Sequence, residues 1–226
     1  MDLSIAAILA QDGVTSGAIY ALLALALVLV FSVTRVIFIP QGEFVAYGAL
    51  TLAAIQANKA PLSASMLVAL GVLTFLVEMG RTLLQPELRL HALRTGAIYA
   101  GKYLVFPIAV YAAASVLAPM TLPMAVQVAL ALLIVIPMGP MIYRLAYEPL
   151  AEASTLVLLI VSVGVHFAMV GLGLVMFGAE GSRTDAFSDA RFDLGALSVS
   201  GQSLWVVAVS VLGVALVVPV RVAHRG

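Results

Sequence analysis

The sequence predicts an all-α, polytopic transmembrane helix bundle of about seven membrane segments. Three observations carry that expectation. Of 226 residues, 63% are apolar. Only 10% are charged, against roughly 25% in an ordinary soluble domain. The apolar residues also come in continuous runs and do not alternate with polar ones, which argues against a transmembrane barrel.

Uncharged runs bounded by charge, proline or glycine give seven segments: 13–34, 36–57, 62–77, 97–118, 121–143, 153–177 and 204–220. The first opens with Gly13 and Gly17, a G-x-x-x-G spacing at which helices approach closely. The second meets Gln41, Gly42 and Glu43 just inside its start, and the third is only 16 residues long, so either is a candidate re-entrant or broken helix. Pro107, Pro137 and Pro140 fall in or near the ends of the fourth and fifth, where they kink or break helices around a pathway. The sixth carries Gly164, Gly171 and Gly173 as packing positions, with His166 as its titratable group. The whole reads as one membrane domain, 1–226.

Lys and Arg are retained on the cytoplasmic side of a membrane. With the N-terminus outside, Arg35, Arg81, Arg89, Arg94, Lys102, Arg144, Arg221 and Arg225 fall at cytoplasmic ends, and Lys59, Arg183 and Arg191 outside, eight against three. An N-out, C-in orientation results. It makes the stretch from Gly178, with Glu180, Asp185, Asp189 and Asp193 against Arg183 and Arg191, an acidic external loop. The stretch 78–95 becomes a solvated cytoplasmic connection or a short interfacial helix broken by Pro86. Asp2 stands where a cleavable signal would be basic, and no Lys or Arg precedes Arg35, so the first segment is expected to stay in the membrane.

The composition excludes several functions. Eleven basic and eleven acidic residues cancel, leaving no field to attract nucleic acid. Without cysteine there is no disulfide framework, thiol catalysis or thiolate metal site. His91, His166 and His224 are far apart, and no His/Asp/Glu cluster has metal-ligand spacing. Gly96 to Tyr103 nearly spells a phosphate-binding G-x-x-x-x-G-K-[ST] loop. Tyr103 replaces the Mg²⁺-ligating hydroxyl, though, and the run leads straight into an apolar span, so Lys102 reads as a snorkelling residue. No nucleophile motif appears, and Ser162 lies in an apolar run with no base near it in sequence. No catalytic residue, metal or cofactor is expected.

Glu43 is the acid placed deepest in an apolar run, where an ionisable group costs a few kcal/mol unless it faces protein or water. It is either a functional group or a structural carboxylate paired with Arg35 at a helix start. His166 is either a hydrogen-bonded packing residue or a ligand.

Two ordered blocks carry a family resemblance. The run from Gly13 through Tyr20 to Leu27, then Phe31 to Arg35, Gln41-Gly42-Glu43-Phe44 and Gly48-Ala49, resembles the opening of inner-membrane permeases of branched-chain amino-acid ABC importers, the Liv type. Tyr143-Arg144-Leu145-Ala146-Tyr147-Glu148-Pro149-Leu150, then Leu158 to His166 and Phe177-Gly178, is similar to that family's R-L-x-Y-x-P-L loop and the segment after it. Together they cover roughly half the chain.

The resemblance implies an all-α permease in a bacterial-type inner membrane, with Gln41, Gly42, Glu43 and His166 on the substrate pathway and Arg144, Tyr147 and Pro149 in a cytoplasmic loop. It also implies partners: cytoplasmic ATPase subunits, a second permease subunit and an extracytoplasmic amino-acid-binding protein. Three departures stand out. The stretch 59–118 looks like an insertion, and Glu148 stands where the family commonly has a basic residue. The chain also stops at Arg221 to Gly226, at what looks like the start of the ATPase-docking loop, so a C-terminally truncated or split permease is expected. The competing readings are an ion-coupled secondary transporter or channel, and a non-transporting membrane scaffold packed through its glycine faces.

Overall fold

A computed structural model describes residues 3–84, 92–188, 190–194 and 197–223. The helices in chain order are α1 (Leu3–Thr34), α2 (Gln41–Gln56), α3 (Leu62–Leu84), α4 (Ala92–Ala100), α5 (Phe106–Leu117), α6 (Met124–Val135), α7 (Met138–Ile142), α8 (Thr155–Phe177) and α9 (Gly201–Ala223). A short antiparallel hairpin, β1 (Arg191–Leu194) and β2 (Leu197–Ser200), precedes α9. The protein is an all-α membrane helix bundle. Among the described residues five helices are long and apolar enough to cross a membrane: Ile8–Thr34, Leu62–Leu84, Gly96–Leu117, Met124–Leu150 and Thr155–Phe177.

The sequence expectation of seven crossings differs from these five at two places, and the boundaries of a third move. Segment 36–57 is not a full helix. Arg35 takes a left-handed φ of 58°, and residues 35–40 are non-helical. Pro40 has no N–H and disfavours a helical Ile39 before it, so only the 16-residue α2 remains. The last segment's apolar stretch covers Gly201–Ala215 among the described residues. The third segment is neither short nor broken: α3 continues for 23 residues through Glu78 and Arg81. Pro86 lies outside the described residues.

The chain divides into two compact units, Met1–Arg35 with Ala186–Gly226, and Val36–Asp185. In the first, α1 packs along α9, and a Cβ at Gly213 would stand 3.0 Å from Leu22 Cδ2. The stretch after Gly178, expected to be a loop, carries the hairpin, with Arg191 opposite Ser200 and Phe192 opposite Val199. The Ser200 hydroxyl accepts from the Ser203 N–H and caps the start of α9.

In the second unit α3 is the central helix. Its buried positions Ser63, Leu67, Gly71, Thr74, Glu78 and Thr82 recur three or four residues apart and form one stripe facing α5, α6 and α7. Lipid is as apolar as leucine, so this packing is driven by close van der Waals contact and not by the hydrophobic effect. Leu67, Ile134 and Met138 are fully enclosed in it.

Two π turns interrupt the helices. Gly101–Val105 lies between α4 and α5, just before Pro107. Pro107 has no N–H to offer the Tyr103 carbonyl four residues earlier, which widens the turn. Gly71 of α3 faces that carbonyl, and a Cβ there would collide with Tyr103 O and stand 3.0 Å from Pro107 Cγ. The second π turn, Tyr143–Tyr147, extends α7 and ends in the single 3₁₀ turn Glu148–Leu150. The run 143–150, expected to be a loop, is therefore the helical end of a span.

Candidate functional site

The site is built where the helix fails. After Arg35 the backbone runs non-helically, and its polar groups need partners that a regular helix would have supplied. The Ile39 N–H is shared between the Ile37 carbonyl and Oγ of Ser162 on α8, each at 3.0 Å. Ser162 is fully buried and also accepts from the Tyr147 hydroxyl at 3.1 Å. Tyr147 is buried in turn, stacked on Tyr143 and tilted against Phe38 with centroids 5.9 Å apart. The resemblance placed Tyr147 in a cytoplasmic loop. It is instead an internal strut holding the broken segment to α8.

That strut sets where α2 begins. Glu43, in its first turn, has a side chain only 15% exposed, and its Oε1 lies 2.9 Å from His166 Nδ1 on α8. The contact lacks hydrogen-bond alignment, and Glu43 Oε2 is buried with no hydrogen-bond partner among the described residues. His166 is the side chain that meets the Glu43 carboxylate within the Val36–Asp185 unit. Gln41 stands half-buried at the head of the same turn, and Gly42 is exposed with nothing near its Cβ direction. The N–H groups of Gln41, Glu43 and Phe44 are taken by the Phe38 and Pro40 carbonyls. Tyr47, one turn further along α2, donates to the Met169 carbonyl at 2.8 Å, a second tie to α8.

A separate charge cluster joins α3 to the second π turn. Glu78, 5% exposed, receives the Arg144 guanidinium at 2.6 Å and has Arg81 at 3.8 Å. Glu148 lies 3.6 Å from Arg81 and 3.8 Å from Arg144. Two acids and two bases cancel, which lets a carboxylate sit inside an apolar bundle. The linear pattern of charge put Glu78 in a solvated connection, and burial against Arg144 corrects it. Arg144, also assigned to a loop, is the partner, while Pro149 is exposed in the 3₁₀ turn.

Of the glycines singled out by spacing as packing positions, Gly173 alone meets a neighbour, its built Cβ lying 3.5 Å from the Tyr47 ring. Gly13, Gly17, Gly164 and Gly171 have nothing within 4 Å of a built Cβ, so none is a close-approach site among the described residues. The closest approaches among the described residues are at Gly71 against the Tyr103 carbonyl, Gly96 against Met79, Gly201 against Ser188 and Gly213 against Leu22. The Gly96 to Tyr103 run is helical, with Lys102 Nζ 5.3 Å from the Tyr103 ring centroid, a cation–π contact in place of a phosphate cradle. Among the described residues no three His, Asp or Glu side chains gather to hold a metal; His91 and His224 lie outside them. The Glu78–Arg144 and Tyr147–Ser162 pairs escaped sequence reading because each joins residues from separate stretches of the chain. The one hint was that opposite charges flank the two runs concerned.

Comparison with family models, with curated proteins and with solved structures finds no match to this chain.

Proposed function

We propose that the chain is a transmembrane permease subunit of an ABC importer for branched-chain or related amino acids, forming part of a translocation pathway driven by separate ATPase subunits. The observation that carries this reading is the Glu43–His166 pair at the mouth of a broken apolar segment. Ionisable groups among spanning helices are rare and tend to mark substrate or ion pathways. Half-helix ends beside unwound backbone are where membrane transporters hold polar ligands. The Glu43 carboxylate, with one buried oxygen unmatched, suits the α-ammonium of an amino acid. Gln41 offers an amide to the carboxylate. The two resembling sequence blocks, which contain Gln41 to Phe44 and His166, support the same assignment.

In this reading the bundle lies N-out and C-in in a bacterial-type inner membrane, with α2 and α9 completing seven segments. Its partners are cytoplasmic ATPases, a second permease and an external binding protein. The deciding experiment is affinity purification of the solubilised chain from its native membrane, followed by mass spectrometry. Co-purification of an ATPase and a second permease, with ATP hydrolysis stimulated by leucine, isoleucine or valine, is the expected result; recovery of neither partner counts against the reading.

The contact between two titratable groups also favours a second reading, an ion-coupled transporter in which Glu43 and His166 share a proton. It predicts uptake that collapses with the proton gradient and does not respond to the ATPase.

A further inference from the structure

At the end of the Val36–Asp185 unit where α2 and α8 stop and α3 starts, the structure contains a cleft of about 450 Å³. That volume falls in the range of small-molecule sites. Its floor is apolar, made by Leu50 and Ala54 of α2, Leu62 of α3, and Met176 and Phe177 of α8. Two cations, Lys59 and Arg183, stand on its lining, and no carboxylate does. Neither cation has an ion-pair partner among the described residues, unlike Arg81 and Arg144 of the same unit.

Backbone turns set the chain positions that carry the two cations. Asn58 takes a left-handed φ of 56°, and its N–H and that of Lys59 return to the Ile55 and Ala54 carbonyls, closing the end of α2 in a tight turn. Gly178, at φ 79°, ends α8 and turns the chain. The Gln56 side chain fastens the segment beyond Gly178, its Oε1 accepting from the Asp185 N–H at 2.9 Å and its Nε2 donating to Met124 Sδ at 3.3 Å. The length of chain carrying Arg183 is thereby tied to the helix whose end carries Lys59.

We infer that this cleft is a binding site for an anion carried on a short apolar stem, the anionic group held between Lys59 and Arg183 and the stem lying on Leu50, Leu62 and Phe177. A free aliphatic carboxylate and the headgroup region of an anionic lipid share this chemistry. The site does not depend on the importer reading, and it is separate from the Glu43–His166 pair.

The test uses the full chain, delipidated in dodecyl maltoside, with radiolabelled 4-methylpentanoate as probe in equilibrium dialysis. The site predicts saturable one-to-one binding, at least tenfold weaker in K59Q and in R183Q, and no competition by 3-methylbutylamine, which keeps the stem and inverts the charge. Circular dichroism and gel filtration establish that both variants are folded, and G164A, which has open space around it and is not on the cleft lining, serves as a substitution that leaves the probe's affinity unchanged. Equal affinity in the charge variants, equal competition by the amine, or no saturable binding overturns the proposal. Added phosphatidylglycerol separates the sources: displacement of the probe by it and not by phosphatidylcholine assigns the cleft to a lipid headgroup, and retention of the probe assigns it to the free carboxylate.

Discussion

Oε1 of Glu43, in the first turn of α2, stands 2.9 Å from Nδ1 of His166 in α8. The two residues come from separate apolar runs, and each run has few other polar groups at that depth. Their meeting rests on the Ile39–Ser162–Tyr147 strut, which fixes the non-helical segment against α8 and so sets the start of α2.

If the pair lies on the pathway, Glu43→Gln and His166→Gln each lower uptake at least tenfold while membrane abundance stays normal. The stability cost of each is small, about 1 kcal/mol, because polar contacts between membrane helices are individually weak. Uptake in vesicles reads the first effect and thermal unfolding in detergent the second. Normal uptake by Glu43→Gln removes the residue from the pathway.

The Glu78 cluster predicts an unequal response. Arg144→Gln leaves a buried carboxylate with Arg81 at 3.8 Å and the Tyr99 hydroxyl as its remaining partners and is expected to cost about 3 kcal/mol. Arg81→Gln, which removes only long, partly solvated contacts, costs about 1 kcal/mol or less. The double change Glu78→Gln with Arg144→Gln costs less than Arg144→Gln alone, because no charge is stranded. Denaturation of the four proteins in detergent checks the order; equal costs for the two arginines contradict it.

Ser162→Ala removes an acceptor used by two donors, Ile39 N–H and Tyr147 O–H, whereas Tyr147→Phe removes one donor and leaves Ser162 with the other. The expected losses are about 2 and about 1 kcal/mol. Hydrogen exchange at the Ile39 amide should rise in Ser162→Ala and stay near wild type in Tyr147→Phe, and the reverse pattern breaks the assignment of the strut.

Gly71→Ala places a methyl group against the Tyr103 carbonyl and Pro107, which forces α3 and α5 apart. A loss of about 3 kcal/mol is expected, at the upper end for overpacking. Gly164→Ala, with open space around it, changes the unfolding midpoint little, within about 0.5 kcal/mol. Comparable losses at both positions contradict the packing described.

Much of the architecture was legible along the chain because it depends on local composition. Length of apolar run and scarcity of charge define a membrane bundle whatever the tertiary arrangement, since backbone groups in lipid must be satisfied within a helix. The same logic marked Gln41, Gly42, Glu43 and His166 as exceptions inside apolar runs. Less legible were the glycines: Gly13, Gly17, Gly164 and Gly171 have the spacing of a packing face, but spacing alone does not say whether a neighbour is present.

The order of residues was enough to establish that the chain belongs in a membrane, that its long elements are helices, and that Gln41, Gly42 and Glu43 make the second segment a candidate re-entrant or broken helix. It took the packing of the helices to establish that Glu43 meets His166, that Glu78 is buried against Arg144, that Tyr147 is an internal strut, and that Lys59 and Arg183 share a cleft. The physical reason is range. Hydropathy and proline act through a residue's own turn and the lipid beside it, whereas a buried charge is tolerated only through a partner from another helix, and which helix that is depends on how all of them pack.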